Sequence, residues 1–598
     1  MTIDQWGLAQ SAGEGVGSGV GGGIVAGVFA QADAMRPTLL GERWAVVAGH
    51  PLVSEVAADV LRRGGNAVDA GVAAGFASNV VQVDMCNLGG IAPILIRDPA
   101  HAGVRSVAGI GTWGAGADLG TLIARHGVRL PLGGAPCIVP AAAAAWLRAL
   151  TESGTMPLAD ILPAVIELAA DGFPLDDRTA SALAVMSRGF RTWQSSADVL
   201  LYDGRPLLPG ERLVQPRLAA LLQGLLDAEG EASRAGATRE GALRAAHDWF
   251  YRGEPARIIA DFVAEQGGIL TADDLAGFEA DVEDAPSVSF GDWQVFVTPT
   301  WSQGPIVAQA LGILRERGID RLDPGTGAYL HEVVEALKFA FSERERTYGD
   351  PRSAVEPVEA MLSDERIAGL AAQIGEHAAR NLPTMDEAVI GQAGPVLGST
   401  TAIVVQDADG YAFACSPSDT IDGAPIIPDL GIICSPRGVQ SRLVEGHPNA
   451  AGPGRRPCVT PAAVIALGRE RGDGRVWSLA CPGGDVIMQA ITQVVLAMAL
   501  EGHSPQAAVE QPRVFGSSFP GGFAPHPSGD RVVYVEAGID EDAVEDLRRR
   551  GHRIVRWPAN EFDAGSVQTV IDVVRPEEGR RVIAAGADSR RSAYAYAR

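Results

Sequence analysis

Two short apolar runs in the last third of the chain restrict its fold more than any other feature. Thr401-Ala402-Ile403-Val404-Val405 is strand-like, Asp407-Ala408-Asp409-Gly410 has turn chemistry, and residues 411–415 form a second run. Two such runs around an Asp/Gly turn read as a β-hairpin. Neither run alternates polar with apolar residues. A strand without a polar face belongs in a sheet covered on both sides. The hairpin therefore predicts a layered molecule in which sheets are buried between other layers.

Upstream the texture is different. Residues 50–62 carry apolar side chains at helical spacing, Gly64-Gly65-Asn66 breaks that pattern, and a second helix is expected from Ala67. Segments 141–150, 158–170 and 329–347 are further predicted helices. From about 371 to 399 the periodicity fades among Pro383, Gly391, Gly394, Pro395 and Gly398, which predicts an exposed linker. Beyond Thr400, strands such as 476–480 alternate with helices. The expected class is α/β (α+β), a layered sandwich of sheets between helices. Glycines between Gly13 and Gly27 suggest a flexible leader over residues 1–40.

Several functions are excluded by composition. Of 598 residues 46% are hydrophobic and 20% charged, as in a compact globule. A net charge of −24 disfavours nucleic acid and anionic membranes as partners. The longest apolar window, 67–83, contains Asp69 and several Gly and Ala, so it suits a core helix better than a membrane span. Cys86, Cys137, Cys415, Cys434, Cys458 and Cys481 are scattered with no CxxC pair. They read as small apolar residues in a reducing compartment, which predicts a cytoplasmic protein without a disulfide framework or zinc site. Lys338 is the only lysine, which rules out a Walker-type phosphate loop, and neither HExxH nor GxSxG occurs. No cofactor and no metal are expected.

The chemistry centres on Ser399-Thr400-Thr401, where the linker meets the hairpin. Cleavage before Thr400 would give that residue a free α-amine beside its own hydroxyl. An α-amine titrates near pH 7.7–8.0, so it can serve as the base that a weak hydroxyl nucleophile needs. With a turn centred on Ala408 and Asp409, paired residue numbers sum to about 817, and Thr400 faces roughly position 417. Ser416 and Ser418 then fall within reach, allowing one residue of register error. On these residues alone, a Thr pair as ordinary β-formers stands beside the catalytic reading. A second feature is Cys481-Pro482-Gly483-Gly484, between a strand and a helix opening near Asp485. Its glycines can point backbone N–H groups at a developing oxyanion, or simply make a tight turn.

The combination resembles the gamma-glutamyltransferase family over nearly the whole chain. The resemblance is carried by His50-Pro51-Leu52-Val53-Ser54-Glu55, Gly64-Gly65-Asn66-Ala67-Val68-Asp69-Ala70, Asn87-Leu88-Gly89-Gly90, Ala169-Ala170-Asp171-Gly172-Phe173-Pro174, Gly267-Gly268-Ile269-Leu270 and Tyr348-Gly349-Asp350-Pro351. Thr400-Thr401, Pro457, Pro482-Gly483-Gly484, Gly565-Ser566-Val567-Gln568 and Gly586-Ala587-Asp588 continue it. It implies the four-layer αββα sandwich of the N-terminal-nucleophile (Ntn) hydrolases, as one globule. It also implies self-cleavage between Ser399 and Thr400, giving a large subunit over 41–399 after the leader and a small one over 400–598. Thr400 matches the family nucleophile, Ser418 the assisting hydroxyl, and Gly483 and Gly484 the oxyanion glycines. Thr401, Ser416, Thr420, Arg437 and Thr460 are the expected substrate-binding residues.

The chain also departs from that pattern. Ala402 stands where a histidine is usual, and the segment 106–111 lacks the arginine that grips a glutamyl carboxylate. No carboxylate lies near Gln440, and a shortened Cys458-Val459-Thr460 replaces a serine pair. Arg437-Gly438, Ser441, Leu443, His447-Pro448-Asn449 and Pro453-Gly454-Arg455-Arg456-Pro457 are similar to the oxamate amidohydrolase-like branch, where Arg437 would anchor a small carboxylate or make a surface ion pair or loop hydrogen bond. The expected activity is hydrolysis of a small, carboxylate-bearing amide through a threonyl acyl-enzyme. Alternatives are gamma-glutamyl or other acyl transfer to an amine, and a non-catalytic family member with a binding role. The partners expected are a small-molecule amide and the two subunits of one precursor, with further homo-oligomerisation open.

Overall fold

A computed structural model describes residues 34–127, 129–353, 356–380, 399–419, 421–470, 474–575 and 580–598. Most of the expected leader, the linker 381–398 and Thr420 lie outside the described residues. The leader ends earlier than residue 40. Leu39–Gly41 is already a strand, with Leu39 opposite Ala585 and Leu40 opposite Ala584.

The hairpin is central. Its strands, Ile403–Asp407 and Ala412–Cys415, pair antiparallel with Ile403 opposite Cys415. Trp44–Ala48 flanks the first and Ile94–Arg97 the second, in a seven-stranded sheet completed by Tyr594–Ala597, Arg105–Val107 and Val282–Asp284. A second seven-stranded sheet runs Leu39–Gly41, Arg580–Ala587, Gln568–Arg575, Val476–Ala480, Ala463–Gly468, Trp293–Val297 and Ser287–Phe290.

Successive side chains of a strand point to opposite faces, so each central strand feeds two cores. Ile403, Val405 and Phe413 face an outer helical layer that includes Pro51–Arg62, Ala67–Val81 and Ala142–Ser153. Val404, Ala412 and Ala414 face inward and meet Ala463, Ile465, Ala480 and Val570 of the other sheet. That sheet turns Val464, Trp477 and Leu479 outward onto Pro305–Glu316, Gly327–Thr347 and Val486–Ala499. The result is the expected αββα order. The layer between the sheets is rich in alanine, and Gln406 makes a polar tie across it: its Nε2 donates to Ser478 Oγ at 2.8 Å and to the Val570 carbonyl at 2.9 Å.

Local chemistry explains the helix ends. Asn66 and Asp69 form a capping box for Ala67–Val81. A Cβ on Gly71 would sit 2.3 Å from the Phe413 ring, so glycine lets this helix lie directly on the hairpin. The segment 158–170 is two helices, Leu158–Ile161 and Pro163–Ala170, rather than the one predicted. Pro163 lacks a backbone N–H and starts a helix instead of continuing one. No helix among the described residues is long and apolar enough to cross a membrane.

Candidate active site

The hairpin register sets the site. Extending the pairing backwards from Ile403 opposite Cys415 makes Thr400 and Ser418 direct antiparallel partners. Thr400 Oγ1 lies 2.8 Å from Ser418 Oγ and 2.6 Å from the Ser399 carbonyl oxygen. Ser418 Oγ also bonds that carbonyl oxygen. Arg437 Nη2 reaches it at 3.3 Å and bonds Ser418 Oγ as well. Ser418 donates to the Ser399 carbonyl and accepts from Arg437, and the single Thr400 hydroxyl proton has both that carbonyl and Ser418 within reach. All four residues are buried.

Arg437 sits in the 3-10 turn Arg437–Gln440, and every one of its nitrogens is engaged. Its Nε pairs with the Asp419 carboxylate, Nη1 donates to Gln440 Oε1 at 2.9 Å, and the guanidinium lies over Phe523 at 5.3 Å. Asp419 also accepts from Ser435 Oγ at 2.6 Å. Burial pushes the Asp419 carboxyl above its ordinary range, and the Arg437 charge opposes that rise. The pair is 3% and 1% exposed at its side chains. Of the two roles expected for Arg437, the ion pair is the one seen, and it is buried rather than at the surface: Asp419, the residue after Ser418, holds the guanidinium.

The remaining expected residues separate into two groups. Thr401 lies beside the nucleophile position, with its hydroxyl on Gln82 Oε1 at 2.7 Å. Gly483 and Gly484 follow the Val476–Ala480 strand with φ of +134° and +65°, a conformation that favours glycine. Pro482 lines a crevice with Thr400, and Gly483 lines a larger cavity with Ser399. Ser416 is engaged elsewhere, donating to the Ala462 carbonyl at the edge of the other sheet at 2.8 Å. Thr460 accepts from Gln440 Nε2 at 3.4 Å, and the same amide reaches the Gly522 carbonyl at 3.5 Å. The space on that side, lined by Gln440, Cys458 and Gly522, is about 10 Å³. A single water needs about that much.

Open space lies on the opposite side of Thr400. A crevice of about 40 Å³ lined by Thr400, Thr401 and Gln82 adjoins a cavity of about 670 Å³. The larger space is walled by Phe515, Phe519, Tyr534 and Trp557 besides Ser399 and Gly483. Asp84 and Arg591 line both. Sequence reasoning passed over these two, and over Asp419, because no spacing marks them. The nearest signal for Asp84 was its place just before Asn87-Leu88-Gly89-Gly90.

One group of possible metal ligands stands apart, against the expectation that none would assemble. His331, Glu335 and the distant His552 are brought together in the second helical layer. His331 Nδ1 lies 2.9 Å from His552 Nε2, and His331 Nε2 is 2.9 Å from the Gly375 carbonyl. The Lys338 ammonium meets Glu335 at 2.5 Å, so the carboxylate already has a cation beside it.

Comparisons with known proteins identify the family. The family model described as Gamma-glutamyltranspeptidase matches residues 53–597. An Acylase ACY 1 proenzyme of Pseudomonas sp. (strain SE83) is 30% identical over 540 residues, covering 87% of this chain and 88% of its own. An oxamate amidohydrolase proenzyme of Klebsiella pneumoniae is 30% identical over 482 residues, covering 78% and 84%. Among solved structures, a cephalosporin acylase from Bacillus halodurans superposes with a TM-score of 0.81 at 25% identity, covering 95% of this chain and 98% of that one. With a family model spanning nearly its whole length and two relatives at 30% identity, the chain belongs to the gamma-glutamyltranspeptidase family of Ntn hydrolases.

Proposed function

We propose that Thr400 is the nucleophile of a self-processing amidohydrolase, and that the enzyme opens a non-glutamyl amide. The observation that carries this is the convergence of Thr400 Oγ1, Ser418 Oγ and Arg437 Nη2 on one carbonyl oxygen, that of Ser399. In self-cleavage the Thr400 hydroxyl adds to the Ser399 carbonyl carbon and passes its proton to the departing Thr400 nitrogen. Negative charge collects on the carbonyl oxygen, where Ser418 and Arg437 donate. The C–N bond breaks, an ester forms on Oγ1, and water hydrolyses it to a Ser399 carboxylate and a free Thr400 α-amine.

That amine is then the base for catalysis. The hydroxyl adds to the substrate carbonyl, Gly483 and Gly484 N–H groups hold the oxyanion, and the amine half leaves with the proton. Water resolves the acyl-enzyme. The acyl half occupies the cavity of about 670 Å³ that Ser399 lines. The filled space at Gln440 argues against a gamma-glutamyl donor, while the relatives include both acylases and glutathione hydrolases. Residues 41–399 and 400–598 are the proposed subunits. The six buried, unpaired cysteines support a cytoplasmic location.

The test is acyl trapping. The processed enzyme, mixed with an arylacyl p-nitroanilide and quenched in acid, should carry one acyl mass on the N-terminal residue of the 400–598 fragment. An acyl group on any other residue, or p-nitroaniline release that survives Thr400→Ala, would contradict the assignment.

A further inference from the structure

The crevice beside Thr400 contains two opposite charges that the mechanism above does not use. Asp84 is 3% exposed, and its Oδ1 has no hydrogen-bond partner among the described residues. Burial pushes its carboxyl up to about 7, with Asp176 raising it further and Arg591 opposing. Arg591 is 7% exposed. Its Nε and Nη2 reach the Phe562 carbonyl at 3.4 and 3.3 Å, while Nη1 meets only the Met85 sulfur at 3.8 Å. Among the described residues no carboxylate oxygen lies within 4.0 Å of its nitrogens. Arg178, the other cation at this wall, is turned onto the backbone carbonyls of Ser589 and Arg590.

A buried guanidinium without an ion pair, and a buried carboxylate oxygen without a donor, are both costly. Each offsets the other only at a distance, because the two groups line the crevice without touching. A ligand with a carboxylate at one end and a nitrogen donor one or two bonds away relieves both. The position indicates which half of the substrate this is. Ser399, the acyl side of the self-cleaved bond, lines the large cavity, whereas the crevice is lined by Thr400 and Thr401 from the amine side. Phe562, with the Arg591 guanidinium 4.1 Å over its ring, and Met85 add apolar surface where the spaces join.

We infer that Arg591 and Asp84 form a subsite for an α-amino carboxylate, the amine half of the amide, with Arg591 taking the carboxylate and Asp84 the nitrogen. This rests on Thr400 as the reacting residue, and it adds the chemistry of the leaving group. The relevant substrates are amides made on an apolar or aromatic amino acid.

Three ligands that the enzyme cannot hydrolyse test it by calorimetric titration of the processed protein: L-phenylalanine, phenethylamine and 3-phenylpropionate. L-phenylalanine should bind at least ~10-fold more tightly than either single-charge analogue, as expected when a paired group is left without its partner. Arg591→Gln should bring L-phenylalanine down to the level of phenethylamine, and Asp84→Asn to that of 3-phenylpropionate. Arg591→Lys should retain part of the preference. All three variants should still cut before Thr400, which shows that they fold and separates this subsite from the nucleophile assignment. Equal affinity for the three ligands, no measurable binding of any, or an unchanged order in the variants would overturn the proposal.

Discussion

At the scale of single residues, the site is a set of hydroxyls given direction by one buried ion pair. Ser418 is the donor nearest to the carbonyl that must accept charge. Removal of one such donor costs about 10²–10³ in rate. Ser418→Ala should therefore cut itself that much more slowly while folding normally, as a time course of intact masses would show; wild-type kinetics would remove Ser418 from the account. Arg437 differs, because it also neutralises Asp419. Arg437→Gln leaves an uncompensated buried carboxylate, at a cost of about 3–5 kcal/mol. Both melting temperature and cleavage rate should fall, and Asp419→Asn in the same chain should restore part of the stability. The Thr400–Ser418 pairing was legible to within one residue because a hairpin counts residues on both arms: the count put Thr400 opposite 417, and the observed register sets it opposite Ser418. The partner of Arg437 was not, since nothing in a sequence says which carboxylate a buried guanidinium will meet.

Single elements place those residues. The hairpin holds Thr400 only if both of its faces stay covered, and Gly71 lets a helix lie close against the outer face at Phe413. Gly71→Val would push Cβ and two methyls into Phe413, and overpacking of this kind costs about 1–3 kcal/mol. Urea unfolding should show that loss, and Gly71→Ala should show less of it. On the inner face Gln406 ties the two sheets. The fully apolar strands made the two-sided burial readable, and 3.6-residue periodicity marked one-sided helices such as Pro51–Arg62, whereas Ala67–Val81, buried on every side, was marked by the Gly64-Gly65-Asn66 break before it. The break at Pro163 was missed because proline is as comfortable in a first helical turn as between helices. Asp84 and Arg591 were missed for another reason. They are far apart in sequence, and only the packed layers bring them to one crevice.

For the whole molecule, the C-terminal segment binds the layers to the site. Asp588 accepts from Arg513 at 2.6 Å and from the Val567 N–H at 3.0 Å, and Arg590 pairs with Glu536 at 2.7 Å. This fixes the turn before the Gln568–Arg575 strand, whose Ser566 and Gln568 line the nucleophile crevice. Burial alone would raise the Asp588 carboxyl, but Arg513 and Arg590 hold it below its ordinary value. A depressed carboxyl contributes stability that is present above its unfolded pKa of about 3.9 and is lost as pH falls through the folded value. Melting temperatures taken downward from pH 5 should drop, and Asp588→Asn should flatten that drop from a lower starting point. A variant with the wild-type slope would show that other carboxylates govern acid unfolding. The central claim is that one chain becomes two at Thr400, and intact mass of the purified wild type and of Thr400→Ala tests it most directly. The account requires fragments that end at Ser399 and begin at Thr400 in the wild type, and a single chain in the variant; an uncut wild-type chain, or the same fragments in both, would contradict it.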